Sequence, residues 1–162
     1  MIPLFPRYTQ DTRLLRLTTP LGPNQLLVEC LHGVEGISEN GSVNLSLLSL
    51  DGAIPLKSLL GQPVLLELLT NIASLPWRPF HGHVTSIAMV GANGGFARYA
   101  MTIAPWTAFL AVGRDSRVFQ NKTVCEILDA VFYGYRHQGR LQPAWRYDLW
   151  RRDDYPVRSL TC

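Results

Sequence analysis

Three groups of residues in this chain have the types and spacing that chemistry needs. Arg114, Asp115 and Arg117 place two guanidiniums and a carboxylate within four positions of the stretch GRDSRVFQ. Such a set can form charge-assisted hydrogen bonds, or it can meet a polyanion. His81 and His83 form an H-x-H pair on a run that reads as a strand, where alternate side chains share a face. That geometry can chelate zinc or copper, with His32 as a third candidate ligand. Asp153 and Asp154 stand beside Arg151 and Arg152, a carboxylate pair of the kind that acid–base catalysis uses.

Each has a plainer reading. No carboxylate or thiol accompanies the two histidines at ligand spacing, so they are read as ordinary strand histidines and no metal is expected. Asp153 and Asp154 are read as neutralised by the neighbouring arginines on the surface. Cys30, Cys125 and Cys162 are odd in number, far apart and without a C-x-x-C. That excludes a disulfide framework or a zinc knuckle and points to folding in a reducing compartment. There is no G-x-S-x-G elbow, no G-x-x-x-x-G-K-[ST] loop and no G-x-G-x-x-G turn. The expectation is no catalytic residue, no cofactor and no enzyme.

Nucleic-acid binding is the alternative function. The segment from Arg136 to Arg158 holds six Arg, three Asp and the rings of Trp145, Tyr147, Trp150 and Tyr155, and its formal charge of +3 equals that of the whole chain. Arginine with aromatics can contact phosphates and stack on bases. The same composition serves a tail packed onto a core by Trp and Tyr. The three aspartates and the absence of lysine favour packing, and no nucleic acid is expected as partner.

The elements that must position these residues fall into two kinds. From Leu14 to Ala104, strand-like runs alternate with turn signals: Asn40-Gly41, Asp51-Gly52 and the glycines of GANGG. The runs are 13–19, 25–33, 43–50, 63–70, 80–90 and 96–104, with Pro63 acceptable at a strand start. About six short strands with turns every eight to twelve residues suggest a closed or nearly closed β-barrel, or a small sandwich. Leu65 and Leu69 point opposite to Val64, Leu66 and Leu68. A strand apolar on both faces calls for a covering element or a partner chain.

After Pro105 the period changes. Val124, Ile127, Leu128, Val131, Phe132 and Tyr135 share one helical face, and Thr123 to Glu126 has the T-x-x-E form of a capping box. The helix should dock on the barrel through Ile127, Leu128, Val131 and Phe132. Arg114, Asp115 and Arg117 are read as a structural joint ahead of it, anchored by Phe119; a solvated charge run is the other reading. The fold class is thus mainly β with α, a barrel of about six strands followed by an amphipathic helix. The expected organisation is an N-terminal arm (1–13), a β-barrel domain (14–106), and a linker, helix and start of a second domain (107–162).

Composition agrees with a folded chain. Hydrophobic residues make up 47% and charged residues 17% of the 162 positions, and the formal net charge is only +3. Thirteen of the fifteen cations are arginine, which suits interfacial ion pairs. The first ten residues lack a signal-peptide core, and VLLELL is too short to span a bilayer. A cytoplasmic start is expected.

Specific residues carry a family resemblance. GISENGSVNLSLLSLD, LLGQPVLLEL, the F-x-G-x-V-T beginning at Phe80, the Pro105-Trp106 step and R-D-x-R-V-F-Q running into the helix resemble the N-terminal hub region of the VgrG family of type VI secretion spike proteins. The R-D-x-R-V-F-Q to E-I-L block is the specific part. The family commonly has an aromatic shortly after the Ser of G-I-S, where this chain has ENGSV. The resemblance implies a phage tail hub-like barrel. It implies a homotrimeric hub that caps a tube of Hcp rings, carries a puncturing spike with tip and effector proteins, and leaves the cell through the secretion system. The family continues past YPVRSLTC into the rest of the hub, an OB-fold and a β-helix spike. The chain is therefore expected to be a fragment, with contact to the target membrane left to the spike.

Overall fold

The computed structural model describes residues 8–136, 141, 143–150 and 158–161, the last four as backbone. The chain divides into two compact units, one up to Pro105 and one from Trp106 onward.

The first unit is a single antiparallel sheet. Its strands are β1 (Leu15–Thr18), β2 (Leu27–Val34), β3 (Ser42–Ser49), β4 (Pro63–Leu69), β5 (Trp77–Asn93) and β6 (Phe96–Ala104). They lie in the order β1-β4-β5-β6-β3-β2, and the sheet curls into a half-barrel. Period-2 alternation sets the inner face. On β3, Val43, Leu45, Leu47 and Ser49 are buried, and on β6 so are Ala97, Tyr99, Met101 and Ile103. These meet across the ladder as Val43↔Ile103, Leu45↔Met101 and Leu47↔Tyr99, the cross-strand pairs that stabilise a sheet. Leu17, Val28, Leu59, Val64, Leu66 and Val84 complete the core. Tyr99 keeps its polar tip satisfied by donating its hydroxyl to the Asp51 carbonyl at 2.9 Å.

Two glycine sites fix the geometry of β5. Gly94 and Gly95, at φ of 60° and 82°, form the two-residue turn between the paired Asn93 and Phe96, where positive φ at both centres is needed. Gly82 faces the opposite constraint. A Cβ there would lie 2.6 Å from Ile103 Cγ2 and 2.8 Å from the Ala104 carbonyl oxygen, so only glycine lets β5 cross β6 this closely. Bulges between Val84 and Ser86 and between Met89 and Gly91 bend the long strand.

No ladder joins β1 to β2 among the described residues, so the expected barrel has an open seam. Side chains line it. The Gln10 carboxamide accepts from the Leu17 N–H at 2.6 Å and donates to the Leu17 carbonyl at 3.2 Å, as a neighbouring strand would. Arg13 donates to the Val28 carbonyl on the other edge at 3.3 Å. The edge of β1 is thereby blunted at its centre.

The second unit contains a 3₁₀ segment (Trp106–Ala111), β7 (Val118–Lys122), helix α1 (Val124–Tyr133) and β8 (Arg158–Thr161), which pairs antiparallel with β7. The start of α1 is capped reciprocally: Thr123 Oγ1 accepts from the Glu126 N–H, and the Glu126 carboxylate accepts from the Thr123 N–H at 2.7 Å. These bonds hold the Glu126 carboxyl below its usual range, the Thr123 N–H first and its hydroxyl second.

Candidate functional site

The segment GRDSRVFQ lies wholly inside the second unit, and its bonds stay there. Arg117 is its hub. Its Nε donates to Asp115 Oδ2 at 2.6 Å and its Nη1 to the carbonyl of Ala130 at 3.2 Å. The last turn of α1 has no basic residue of its own, and Gly134 N–H turns to the Val131 and Phe132 carbonyls. Arg117 therefore brings a cation to a helix C-terminus that needs one. The hydrogen bond and charge of Arg117 hold the Asp115 carboxyl below its ordinary value. Phe119 is the buried anchor at 7% exposure, whereas the Asp115 and Arg117 side chains are 61% and 39% exposed. Arg114 is exposed.

A second cluster centres on Asp129. Its Oδ1 accepts from Trp145 Nε1 at 2.8 Å and from the Tyr147 hydroxyl at 3.0 Å, tying the 143–150 segment to the helix. Burial and then the bond to Asp129 push the Tyr147 hydroxyl up to about 12. The rings pack edge to face: Trp106 with Phe132 at 4.9 Å, and Trp145 with Phe132 at 5.2 Å and Tyr133 at 5.4 Å. Of the four helix residues expected to dock, Ile127 is buried and Leu128, Val131 and Phe132 are half-buried, with Phe132 engaged by Trp106 and Trp145 of its own unit.

That packing bears on the Arg-aromatic segment. Arg136 stacks over Tyr133 and Trp145, at 4.4 and 5.0 Å, and Arg146 pairs with Asp148. Trp150 is exposed. Arg151, Arg152, Asp153, Asp154 and Tyr155 lie outside the described residues, as do Arg140 and Cys162.

His81 and His83 stand with their rings 6.0 Å apart and nearly perpendicular. His83 is buried, and burial followed by the charge of His81 lowers its pKa. His32 is on β2, separated from β5 by β6 and β3 in the sheet. Among the described residues no group of three His, Cys, Asp or Glu is placed to hold a metal ion.

The outward face of the sheet divides in two. Across β2, β3 and β6 it is polar: Arg98 grips the Glu29 carboxylate with two bonds at 2.7 and 3.0 Å, Ser46 donates to the same group, and Thr102 donates to Asn44. Towards β4 it is apolar, with Leu65 half-buried and Leu69 39% exposed. Leu14, whose carbonyl accepts from the Leu69 N–H, and Ile72 and Leu75 of the following turn are exposed as well. Apolar outward residues are thus confined to one end of the sheet.

Comparison with known proteins places these features in a family. The phage tail baseplate hub (GPD) family matches residues 34–162. The type VI secretion system spike proteins VgrG1a and VgrG1c of Pseudomonas aeruginosa PAO1 are each 38% identical, over 123 and 125 residues. Those alignments take in 76% and 77% of this chain but 19% and 17% of the relatives, so the chain spans under a fifth of their length. A solved structure of the E. coli c3393 protein is similar in fold, with a TM-score of 0.65 at 23% identity over 91% of this chain and 38% of that one. It is described as a type VI secretion component with structural similarity to the T4 bacteriophage tail proteins gp27 and gp5.

Proposed function

The chain belongs to the phage tail baseplate hub family, and on that premise we propose that it is a structural part of a type VI secretion spike. The carrying observation is the match over residues 34–162, which runs unbroken from the sheet through GRDSRVFQ and α1. In this reading the protein containing the chain assembles as a trimer, seats its hub on the end of the Hcp tube and carries spike and effector to the outside. The chain contributes docking surface rather than catalysis. The apolar end of the sheet around Leu69 supports a role in contact with another subunit or ring.

The test uses a polypeptide that carries this segment together with the continuation its longer relatives have. Light scattering should give a trimer, and that trimer should bind the end of Hcp ring stacks. A product that stays monomeric at micromolar concentration and ignores the rings contradicts the reading.

A further inference from the structure

A groove of about 350 Å³ opens on the second unit beside GRDSRVFQ. Leu110, Phe119 and Val131 give it apolar walls, and Arg114, Arg117 and Tyr135 add polar groups. Gly113 shapes one side: a Cβ there would lie 2.6 Å from the Tyr135 hydroxyl oxygen, so the ring end rests against bare backbone. The two guanidiniums differ in commitment. Arg117 is bonded to Asp115 and to the Ala130 carbonyl. Arg114 is exposed and has no ion pair or hydrogen bond among the described residues, while the nearest carboxylate in sequence, Asp115, is already held by Arg117.

Charge is distributed to match. Cations and carboxylates balance in the first unit, so the whole formal net charge of +3 belongs to the second. An apolar hollow with an uncommitted guanidinium at its side, on a cationic unit, is complementary to an apolar side chain next to a carboxylate.

We propose that this groove binds an extended segment of a separate partner protein, in which an aliphatic or aromatic side chain is flanked by Asp or Glu. The apolar side chain fills the hollow against Phe119 and Val131, and the carboxylate pairs with Arg114. A nucleic acid fits less well: it needs a track of several free cations and exposed stacking rings, and here Arg117 is engaged and Phe119 is buried. The proposal stands whether or not the hub reading holds.

The test is selection of random heptapeptides displayed on phage against the whole chain, followed by polarisation titration of labelled consensus peptides. The expected consensus joins Asp or Glu to a neighbouring Leu, Ile or Phe. Arg114→Glu should weaken its binding by about tenfold or more, the loss of one charge-assisted bond, with Arg114→Lys intermediate. Because Arg114 is exposed, circular dichroism of both variants should match the parent. A consensus without acidic residues, or binding indifferent to Arg114→Glu, overturns the proposal. So does a single-stranded oligonucleotide that displaces the peptide and binds more tightly, or self-association of the chain that the peptide cannot compete away.

Discussion

The sheet unit and the strand–helix unit after it are held together by different kinds of contact. In the first, alternating residues of six strands meet in one apolar core, and most of its largest fully buried side chains are hydrocarbon. In the second, only Trp106, Phe119 and Ile127 are buried, and order comes from ring edges and from side chains that each hold two partners: Asp129 with Trp145 and Tyr147, Arg117 with Asp115 and Ala130. The charge divides the same way, balanced in the sheet and +3 beyond it. Burial is cooperative and non-directional, whereas the second unit rests on a few directional bonds, so single substitutions should act broadly in one and locally in the other.

The largest effect should come from Leu66→Ala. Leu66 is 0% exposed, and its loss should cost about 2–5 kcal/mol in denaturant unfolding of the sheet unit. A loss under about 1 kcal/mol would mean the core is not the sheet's support. Gln10→Ala comes next. It strips both partners from the buried Leu17 backbone, at about 1–3 kcal/mol, and opens an edge, so concentration-dependent association should rise with the destabilisation. An unchanged midpoint and a monodisperse variant would show that the seam is closed by something other than Gln10.

Asp129→Ala should be local. Removing the acceptor shared by Trp145 and Tyr147 should cost about 1–3 kcal/mol, seen in tryptophan emission, while protection of the sheet amides stays intact. The same site has a pH signature. Tyr147 titrates near 12 when folded against an ordinary 10.0, so its contribution is full below about pH 10 and is lost as pH rises towards 12. Ultraviolet titration should show one late phenol, and Asp129→Ala should return it towards the others. The smallest effect belongs to Asp115→Ala: its ion pair is solvent-exposed, and the melting midpoint should stay within experimental scatter. A clear drop would show that the Asp115–Arg117 pair supports the helix end more firmly than an exposed pair does.

The sheet was readable because its signals are local. Alternation in SVNLSLLS and FARYAMTIA, the Gly94-Gly95 turn and the T-x-x-E cap each express a geometry within a few residues. β5 begins earlier than its alternation suggests, since Pro79 reads as a break. It falls where β5 runs past the end of β6 and has a neighbour on one side only, a place where a strand tolerates proline. The seam and the Asp129 cluster had no such signal. Gln10 meets Leu17, and Asp129 meets Trp145 and Tyr147, through side chains whose partners follow no period. The GRDSRVFQ charges stood out by composition, but which guanidinium is engaged and which is not depends on where the end of α1 comes to lie.

The central claim, that this chain can serve as hub material in a spike, is tested most directly by a chimera. Residues 34–162 would replace the matching region of P. aeruginosa VgrG1a, and the chimera would be expressed in a strain lacking its own spike proteins. Release of Hcp into the medium is then measured. The account predicts that release returns; a chimera that accumulates as a folded trimer and restores none would contradict it.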